Sequence, residues 1–401
     1  MKIGLIKETK IPIDNRVALT PQQMAQLQKS YPDDQFVVQS SPIRAYTDEE
    51  YRQLGIQVCD DIADCDILFG IKEASIQSLI PDKHYFFFGH IAKMQAYNKP
   101  LLQAMMAKRI TFSDYEYLTD SQHKRVCAFG WWAGIVGVYH TLRCYGLKYH
   151  TFTLPAPDKK FSLEQLTLLL CNINLPKIKI LITGTGRVSQ GAQYILQKIG
   201  AKKMSEQQFL NTPAVDFLSY CVADAPQLVE HCQGEAFNWD TFNQTPQLYR
   251  SIFMRWAVCT DMLICAHFWA PDAPVYLSEQ DLKNPNLSIK VIGDITCDIQ
   301  GSIKSTLRAT THAEPYYDYN PLTGQEMPPF SLPDNISVMA IDTCPNALAM
   351  DTSDYFGQML MQHVFPPLLN RQHSDILQRG TILQNGQLTP LFRYLDNFSK
   401  S

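Results

Sequence analysis

The segment from Leu181 to Ala192, Leu-Ile-Thr-Gly-Thr-Gly-Arg-Val-Ser-Gln-Gly-Ala, constrains the fold of this chain more than any other. It continues an apolar run, 178–182, that predicts a buried parallel strand, and it leads into a periodic run, 192–199, that predicts an α-helix. Between the two, Gly184 permits a tight turn and Gly186 lets a pyrophosphate approach the backbone, while the helix start supplies N–H donors. A strand, a glycine turn and a helix in this order indicate a dinucleotide-binding Rossmann unit.

One glycine of this turn is displaced from the usual pattern. Ser189 stands where G-x-G-x-x-G requires its third glycine, and Gly191 follows two residues later. A ribose-binding carboxylate is expected roughly 20 residues after the first glycine. Glu206 is near that spacing, but Lys202 and Lys203 precede it and suit a 2′-phosphate, so the choice between NAD and NADP stays open. The predicted cofactor-binding residues are Gly184, Gly186, Arg187, Val188, Gly191 and Glu206.

Composition narrows the class of protein. A chain of 401 residues predicts two domains, and 35 Lys and Arg against 39 Asp and Glu argue against nucleic acid or an anionic membrane as a partner. No apolar run reaches the about 18 residues of a membrane span, and charged residues come too early for a signal peptide. Eleven scattered cysteines without a C-x-x-C pair favour reduced thiols over a disulfide framework or a zinc site. We therefore expect a cytoplasmic globular protein without a metal.

Strand and helix patterns alternate along the chain, which predicts an α/β fold. Before residue 125, apolar runs at 3–6, 36–38, 66–70, 85–89 and 110–112 predict strands, and capping boxes at Thr20–Gln23 and Thr47–Glu50 predict helix starts. Beyond the glycine turn, strands are predicted at 217–221, 262–266, 289–292 and 336–340, a loop at 300–335 and a helix at 345–365. The predicted architecture is two Rossmann-like domains with parallel sheets and an interdomain cleft. Residues 1–127 plus 346–401 form the substrate domain, residues 128–345 bind the dinucleotide, and a helix with Gly130, Ala133, Gly134 and Gly137 suits close backbone packing.

Titratable residues follow three successive predicted strands of the first domain. Lys72 and Glu73 come after the first strand, His90 after the second, and Asp114 and Glu116 after the third. Because ligands of an open parallel sheet bind outside the carboxyl ends of its strands, these side chains should converge on one crevice. Together they can donate and accept protons near neutral pH. In the second domain, Asp294 ends a buried strand and is predicted to be a catalytic residue that faces the nicotinamide. For Asp298, a functional role and a structural role in a turn or helix cap are equally expected.

Several of these motifs resemble one enzyme superfamily. Lys7–Lys10 with Arg16–Pro21 resembles the opening of the alanine dehydrogenase, transhydrogenase and lysine-forming saccharopine dehydrogenase superfamily. Arg125 followed by Ala128-Phe-Gly-x-x-Ala-Gly134 is similar to saccharopine dehydrogenases and to the lysine–ketoglutarate reductase half of bifunctional aminoadipic semialdehyde synthase. The segments Gly184–Gln193 and Asp294–Ile303 resemble the reductase half, and the likeness runs from Lys2 to about Phe365.

The resemblance implies roles for the residues at the strand ends. Lys72 would be the catalytic lysine that handles the proton of the secondary amine, and His90 the acid–base for imine hydrolysis and condensation. Arg16 and Arg125 would hold substrate carboxylates, a task that suits the guanidinium fork. Glu73 and Glu116 would tune this cluster and the amine on the lysine side. Lys304 departs from the family, which usually has glutamate there.

The expected activity is therefore interconversion of saccharopine with L-lysine and 2-oxoglutarate, with NAD or NADP as cofactor and small amino and oxo acids as partners. One alternative is an alanine dehydrogenase or another opine-type amine dehydrogenase, because the fold alone does not fix the substrate. Another alternative is a nucleotide-binding subunit or sensor without turnover of its own. The sequence leaves the oligomeric state open.

Overall fold

The computed structural model describes residues 1–400, which form two compact units. Unit 1 comprises Met1–Phe129, Lys159–Ser162 and residues 348–400, and unit 2 comprises Gly130–Asp158 and Leu163–Ala347. None of the described helices combines the length and the apolar character needed to cross a membrane. All eleven cysteines lie in the described range, and each is a free thiol.

Short strands and helices alternate through both units. The strands of the described residues are β1 (Lys2–Leu5), β2 (Gln35–Gln39), β3 (Gln57–Cys59), β4 (Ile67–Phe69), β5 (His84–Phe87), β6 (Thr111–Asp114), β7 (Lys179–Thr183), β8 (Lys202–Lys203), β9 (Ser219–Ala223), β10 (Val229–His231), β11 (Tyr249–Ser251), β12 (Met262–Cys265), β13 (Val291–Asp294), β14 (Tyr317–Tyr319), β15 (Glu326–Met327), β16 (Ile336–Met339), β17 (Thr381–Gln384) and β18 (Gln387–Leu388). The α-helices are α1 (Pro21–Ser30), α2 (Asp48–Arg52), α3 (Lys99–Ala107), α4 (Gly130–Tyr149), α5 (Leu163–Cys171), α6 (Arg187–Lys198), α7 (Glu206–Asn211), α8 (Ala225–Leu228), α9 (Trp239–Gln244), α10 (Met254–Ala257), α11 (Glu279–Leu282), α12 (Ala349–His363), α13 (Phe365–Leu369), α14 (Asp375–Gly380) and α15 (Asp396–Lys400).

Unit 1 is built on an eight-stranded sheet in the order β18-β17-β6-β5-β4-β1-β2-β3. The six strands from β6 to β3 in this order are parallel, whereas β17 and β18 pair antiparallel at the edge next to β6. Helices α1 and α2 begin at the two predicted capping boxes, where Thr20 and Thr47 each accept a hydrogen bond from the backbone N–H three residues later. The core is rich in aromatic rings, and Phe69 and Phe86 stack on neighbouring strands with 4.5 Å between ring centroids.

Unit 2 has a second eight-stranded sheet, in the order β15-β14-β16-β13-β12-β7-β9-β8. The strands from β16 to β8 are parallel, so the predicted α/β fold with two largely parallel Rossmann-type sheets is confirmed. The prediction of a loop throughout 300–335 was wrong, because β14 and β15 form an antiparallel hairpin at the sheet edge. The prolines on either side of β14 suggested a loop, but Tyr317 and Tyr319 of this strand are fully buried.

Glycines hold helices α4 and α6 of unit 2 unusually close together. A Cβ added to Gly134 would lie 1.9 Å from the carbonyl oxygen of Val188, and one added to Gly191 would lie 1.8 Å from the carbonyl oxygen of Trp131. Either position therefore excludes any side chain, because backbone atoms of the partner helix fill the space. The small residues of α4 thus serve close packing, and Gly191, expected to contact the cofactor, contacts the backbone of α4.

Candidate active site and nucleotide-binding turn

The loop after β4 places Lys72 and is held by a buried glutamate. The backbone N–H groups of Ile71 and Lys72 donate to the two carboxylate oxygens of Glu8, at 2.6 and 2.9 Å. Burial, together with the negative charge of Asp14, raises the pKa of Glu8 to about 8. Glu8 belongs to the motif Lys7–Lys10, which was recognised in the sequence. That Glu8 accepts hydrogen bonds from the backbone of this loop was not predicted.

The loop after β5 brings His90 against Glu73. The imidazole Nδ1 of His90 lies 3.1 Å from Oε1 of Glu73, whose other oxygen lies 2.6 Å from the ammonium of Lys10. Although burial opposes ionisation, the hydrogen bond with His90 and the ion pair with Lys10 lower the pKa of Glu73 to about 2. His90 itself adopts a left-handed backbone conformation with φ of 52°, which is uncommon for a residue other than glycine. Glu73 therefore orients the ring of His90 as a permanent carboxylate.

A second buried carboxylate joins the loops after β5 and β6. Asp114, the last residue of β6, accepts hydrogen bonds from the backbone N–H of Gly89 at 3.1 Å and of Glu116 at 2.9 Å. Burial, and then the charge of Glu116, raise the pKa of Asp114 to about 7. One side chain thus fixes the backbone beside His90 and the backbone of Glu116. This support was not predicted, because no sequence pattern indicates a contact of this kind.

Glu116 is the centre of a cluster of charges at the end of β6. Its Oε1 lies 3.1 Å from the ammonium of Lys93 and also contacts the guanidinium of Arg125. Its Oε2 is buried without a hydrogen-bond partner among the described residues. Although burial opposes ionisation, the charges of Arg125 and Lys93 lower the pKa of Glu116. An ionised, buried oxygen without a donor is suited to receive one from a ligand.

Arg16 lies in the same unit, already paired with an acid. Its Nε and one terminal nitrogen donate to the two oxygens of Asp14, at 2.9 and 2.6 Å, and both side chains are buried. The guanidinium also packs over the ring of Phe129, 4.3 Å from its centroid. The fork of Arg16 is therefore rigid, and its remaining donors have a fixed direction.

The glycine turn of unit 2 has the backbone geometry expected from its sequence. Gly184 follows β7 with φ of +84°, and a Cβ there would lie 2.7 Å from the Cα of His267, so this position requires glycine. Around Gly186 no atom lies within 4 Å of an added Cβ, which leaves room for a ligand to approach the backbone. Arg187 and Val188 are the first residues of α6, so the N-terminus of this helix lies beside that space. These features fit a dinucleotide pyrophosphate.

Asp294 lies at the carboxyl end of β13, but its oxygens are already used within the protein. Thr296 donates to Oδ1 through its hydroxyl at 2.6 Å and its N–H at 3.0 Å, and the Thr306 hydroxyl donates to Oδ2 at 2.6 Å. The side chain is buried, which raises its pKa. The structure thus shows Asp294 holding its own loop together. In the same loop, the ammonium of Lys304 donates to the carbonyl of Gln300 at 2.5 Å.

Glu206 is not on the strand next to the glycine turn. It begins α7 after β8, and β9 lies between β8 and β7 in the sheet. Its carboxylate pairs with Arg255 at 2.8 Å. The spacing of about 20 residues applies when the next strand in the chain is also the neighbour of the glycine strand in the sheet. Here the neighbour of β7 is β9, which is followed by Asp224.

The two lysines before Glu206 are also engaged elsewhere. Lys203 donates to the side-chain oxygen of Gln193 at 3.0 Å, and the ammonium of Lys202 lies 4.1 Å from the centroid of the Phe217 ring. Both lysines belong to the edge strand β8. Neither contact directs a positive charge to the glycine turn.

Comparison with known proteins relates the chain to amino-acid dehydrogenases. Residues 4–136 match the family model described as alanine dehydrogenase/PNT, N-terminal domain. The whole chain aligns at 30% identity with 42% of an Arabidopsis thaliana alpha-aminoadipic semialdehyde synthase, and 91% of it aligns at 25% identity with 44% of the Bos taurus mitochondrial protein of that name. The chain thus spans less than half the length of these relatives. It also aligns at 25% identity with the Candida glabrata saccharopine dehydrogenase [NAD(+), L-lysine-forming], covering 94% of each chain.

Solved structures agree with this relationship at the level of the fold. An L-alanine dehydrogenase superposes with a TM-score of 0.67 at 17% identity over 99% of both chains. A transhydrogenase from Sinorhizobium meliloti superposes with a TM-score of 0.60 at 14% identity, over 97% of this chain and all of the other. The family model and the relatives confirm the resemblance predicted from the motifs: the chain is similar to saccharopine dehydrogenases and to alpha-aminoadipic semialdehyde synthases, and its first part is similar to the alanine dehydrogenase/PNT family.

Proposed function

We propose that the protein is a pyridine-nucleotide-dependent oxidoreductase that interconverts saccharopine with L-lysine and 2-oxoglutarate. The observation that carries the proposal is that Lys72, His90 and Glu116 follow three neighbouring parallel strands of unit 1. Each of them is held by a buried carboxylate, which is Glu8, Glu73 or Asp114, respectively. The names of the relatives, saccharopine dehydrogenase and alpha-aminoadipic semialdehyde synthase, support the same class of reaction.

A pyridine nucleotide bound at the glycine turn supplies a hydride acceptor and donor, and the remaining chemistry belongs to side chains. In the oxidative direction, Lys72 removes the proton of the secondary amine as the neighbouring carbon loses hydride, which gives an imine. His90 then takes a proton from the water that adds to the imine carbon. The carbon–nitrogen bond then breaks as both protons of the water end on nitrogen, one returned by His90 and one lost from the new hydroxyl group, giving an amine and an oxo acid. Glu73 keeps the ring of His90 oriented throughout.

Binding residues of the cluster match a substrate with several carboxylates and amines. Arg16, made rigid by Asp14, offers its remaining donors to a carboxylate, and Arg125 offers a second guanidinium beside Glu116. The buried Oε2 of Glu116, which lacks a partner among the described residues, accepts a hydrogen bond from the substrate amine. In this scheme Asp294 acts by positioning the loop through Thr296 and Thr306 rather than by transferring a proton.

A substrate panel tests the proposal directly. Oxidation of NADH or NADPH is measured with lysine and 2-oxoglutarate together, with each alone, and with ammonia and pyruvate. The pair of lysine and 2-oxoglutarate should exceed ammonia and pyruvate by at least roughly tenfold in kcat/KM, because a small substrate leaves buried charged groups unpaired. Faster turnover of ammonia and pyruvate would assign the protein to alanine dehydrogenases. Nucleotide binding without turnover of any amine would indicate a sensor or binding subunit.

A further inference from the structure

Asp224 lies level with the glycine turn, on the adjacent strand. It is the first residue after β9, which pairs parallel with β7 so that Ala223 is opposite Thr183. The N–H of Gly184 donates to the carbonyl of Ala223 at 2.8 Å. The carboxyl end of the strand beside the glycine strand is where Rossmann folds present a group to the adenosine ribose. In this chain that position is taken by a residue 40 positions after Gly184, about twice the expected spacing.

The carboxylate of Asp224 is fixed in direction but keeps acceptor capacity. Its Oδ2 accepts a hydrogen bond from the hydroxyl of Thr185, inside the glycine turn, at 2.5 Å, and its Oδ1 accepts from the N–H of Ala225 at 2.9 Å. Each carboxylate oxygen can accept about two hydrogen bonds, so one further acceptor position remains on each. Asp224 is only half-buried, which leaves these positions open to a ligand.

We propose that Asp224 binds the two hydroxyls of the adenosine ribose and makes the protein select NAD(H) over NADP(H). This inference rests on the proposed function, because it assigns the cofactor of the same oxidoreductase. Two adjacent hydroxyls match two acceptor oxygens held side by side. A 2′-phosphate removes one of the donors and brings about 1.5 to 2 negative charges toward the carboxylate. Glu206 and the two lysines before it make their own contacts elsewhere and are not needed for this selection.

The test measures nucleotide binding on the full chain without amino-acid substrates. NADH and NADPH are titrated separately by nucleotide fluorescence, and thermal unfolding is followed in parallel. We expect the wild-type protein to bind NADH at least about tenfold more tightly than NADPH. Asp224→Asn should reduce this ratio at least about fivefold, mainly through weaker NADH binding, because a neutral amide neither accepts both hydroxyls nor repels a phosphate. Glu206→Ala is the matched control and should leave both dissociation constants within about twofold.

Asp224 also caps the short helix α8, and the asparagine variant separates this structural role from the proposed one. Asparagine is as good a cap as aspartate, so the unfolding temperature should not change while the ratio does. Equal binding of NADH and NADPH by the wild type, an unchanged ratio in Asp224→Asn, or binding of neither nucleotide would overturn the inference. If NADH is selected but lysine with 2-oxoglutarate gives no turnover, the inference stands and the proposed reaction fails. If that pair is turned over with NADPH preferred, the proposed reaction stands and the role of Asp224 fails.

Discussion

Replacing Gly191 with alanine should destabilise unit 2 without weakening nucleotide binding. The new Cβ would lie 1.8 Å from the carbonyl oxygen of Trp131, where ordinary contact begins at 3.4 Å. Helices α4 and α6 would have to separate by about 1.6 Å, and backbone atoms cannot turn aside as a flexible side chain does. Overpacking of this kind costs about 1–3 kcal/mol, and the better helix propensity of alanine offsets at most about 1 kcal/mol of it. With a net cost of about 1–2 kcal/mol in a unit of this size, the unfolding temperature should fall by about 2–8 °C.

Gly186→Ala is the matched control in the same turn. Its backbone, with φ of −70° and ψ of −173°, is allowed for alanine, and nothing lies within 4 Å of the added methyl group. Stability should therefore stay the same or rise by about 0.4–1 kcal/mol. The methyl group would occupy the approach of the pyrophosphate, so the dissociation constant for NADH should rise at least about tenfold.

Thermal unfolding and fluorescence titration with NADH, both on the full chain, separate the two effects. The expected pattern is a lower unfolding temperature with an unchanged dissociation constant in Gly191→Ala, and the reverse in Gly186→Ala. If Gly191→Ala unfolds within about 1 °C of the wild type but binds NADH more weakly, Gly191 belongs to the binding turn, as its place in the sequence motif suggests, and the packing argument is refuted.

Three further predictions concern unit 1. Lys72→Met should lower turnover by about 10²- to 10⁴-fold while leaving the dissociation constant for NADH within about twofold, and a variant that keeps half of wild-type turnover would remove Lys72 from the mechanism. Arg16→Lys loses the fork that pairs with Asp14, so KM for the 2-oxo acid should rise more than kcat falls, and steady-state kinetics showing an unchanged KM would place the carboxylate site elsewhere. The pKa of Glu8 is raised in the folded protein from the ordinary 4.5 to about 8, so its contribution to stability is complete below pH 4.5 and is lost as the pH rises through 8. In urea unfolding at pH 5, 6.5 and 8, Glu8→Gln should show a smaller fall in the free energy of unfolding than the wild type, and equal falls would contradict the raised pKa.

The sequence predicted most of the strands because their signal is local. Apolar runs such as 66–70 and 85–89 contain β4 and most of β5, and the capping boxes define the starts of α1 and α2. The order of strands is not local, since it depends on which distant segments form hydrogen bonds. The position of β9 between β7 and β8 therefore escaped prediction, and with it the place of Asp224 beside the glycine turn.

In the candidate site, too, residues with a local signal in the sequence were predicted, whereas contacts between distant segments were not. Lys72, His90 and Glu116 were predicted as a group because each follows a strand, and parallel strands end at one edge of a sheet. The supporting role of the buried carboxylates of Glu8 and Asp114 could not be recognised, because their partners are backbone N–H groups that are 63 and 25 residues away in the chain. Residues that position a site through the backbone leave no pattern of side-chain types.

The places of strand β17 and helix α12 in the chain determine when unit 1 can be completed during synthesis. Strand β17 pairs with β6, the Ser353 hydroxyl of α12 accepts a hydrogen bond from the N–H of Val17 at 2.9 Å, and Phe356 stacks on Phe129 at 4.6 Å. Phe129 in turn supports the guanidinium of Arg16. The ribosome therefore makes all of unit 2 before it supplies the residues that complete unit 1. Arg16 and its neighbours in unit 1 therefore acquire their final support only after unit 2 has been synthesised, and until then the sheet of unit 1 lacks its strands β17 and β18 and exposes β6 as an edge that can aggregate.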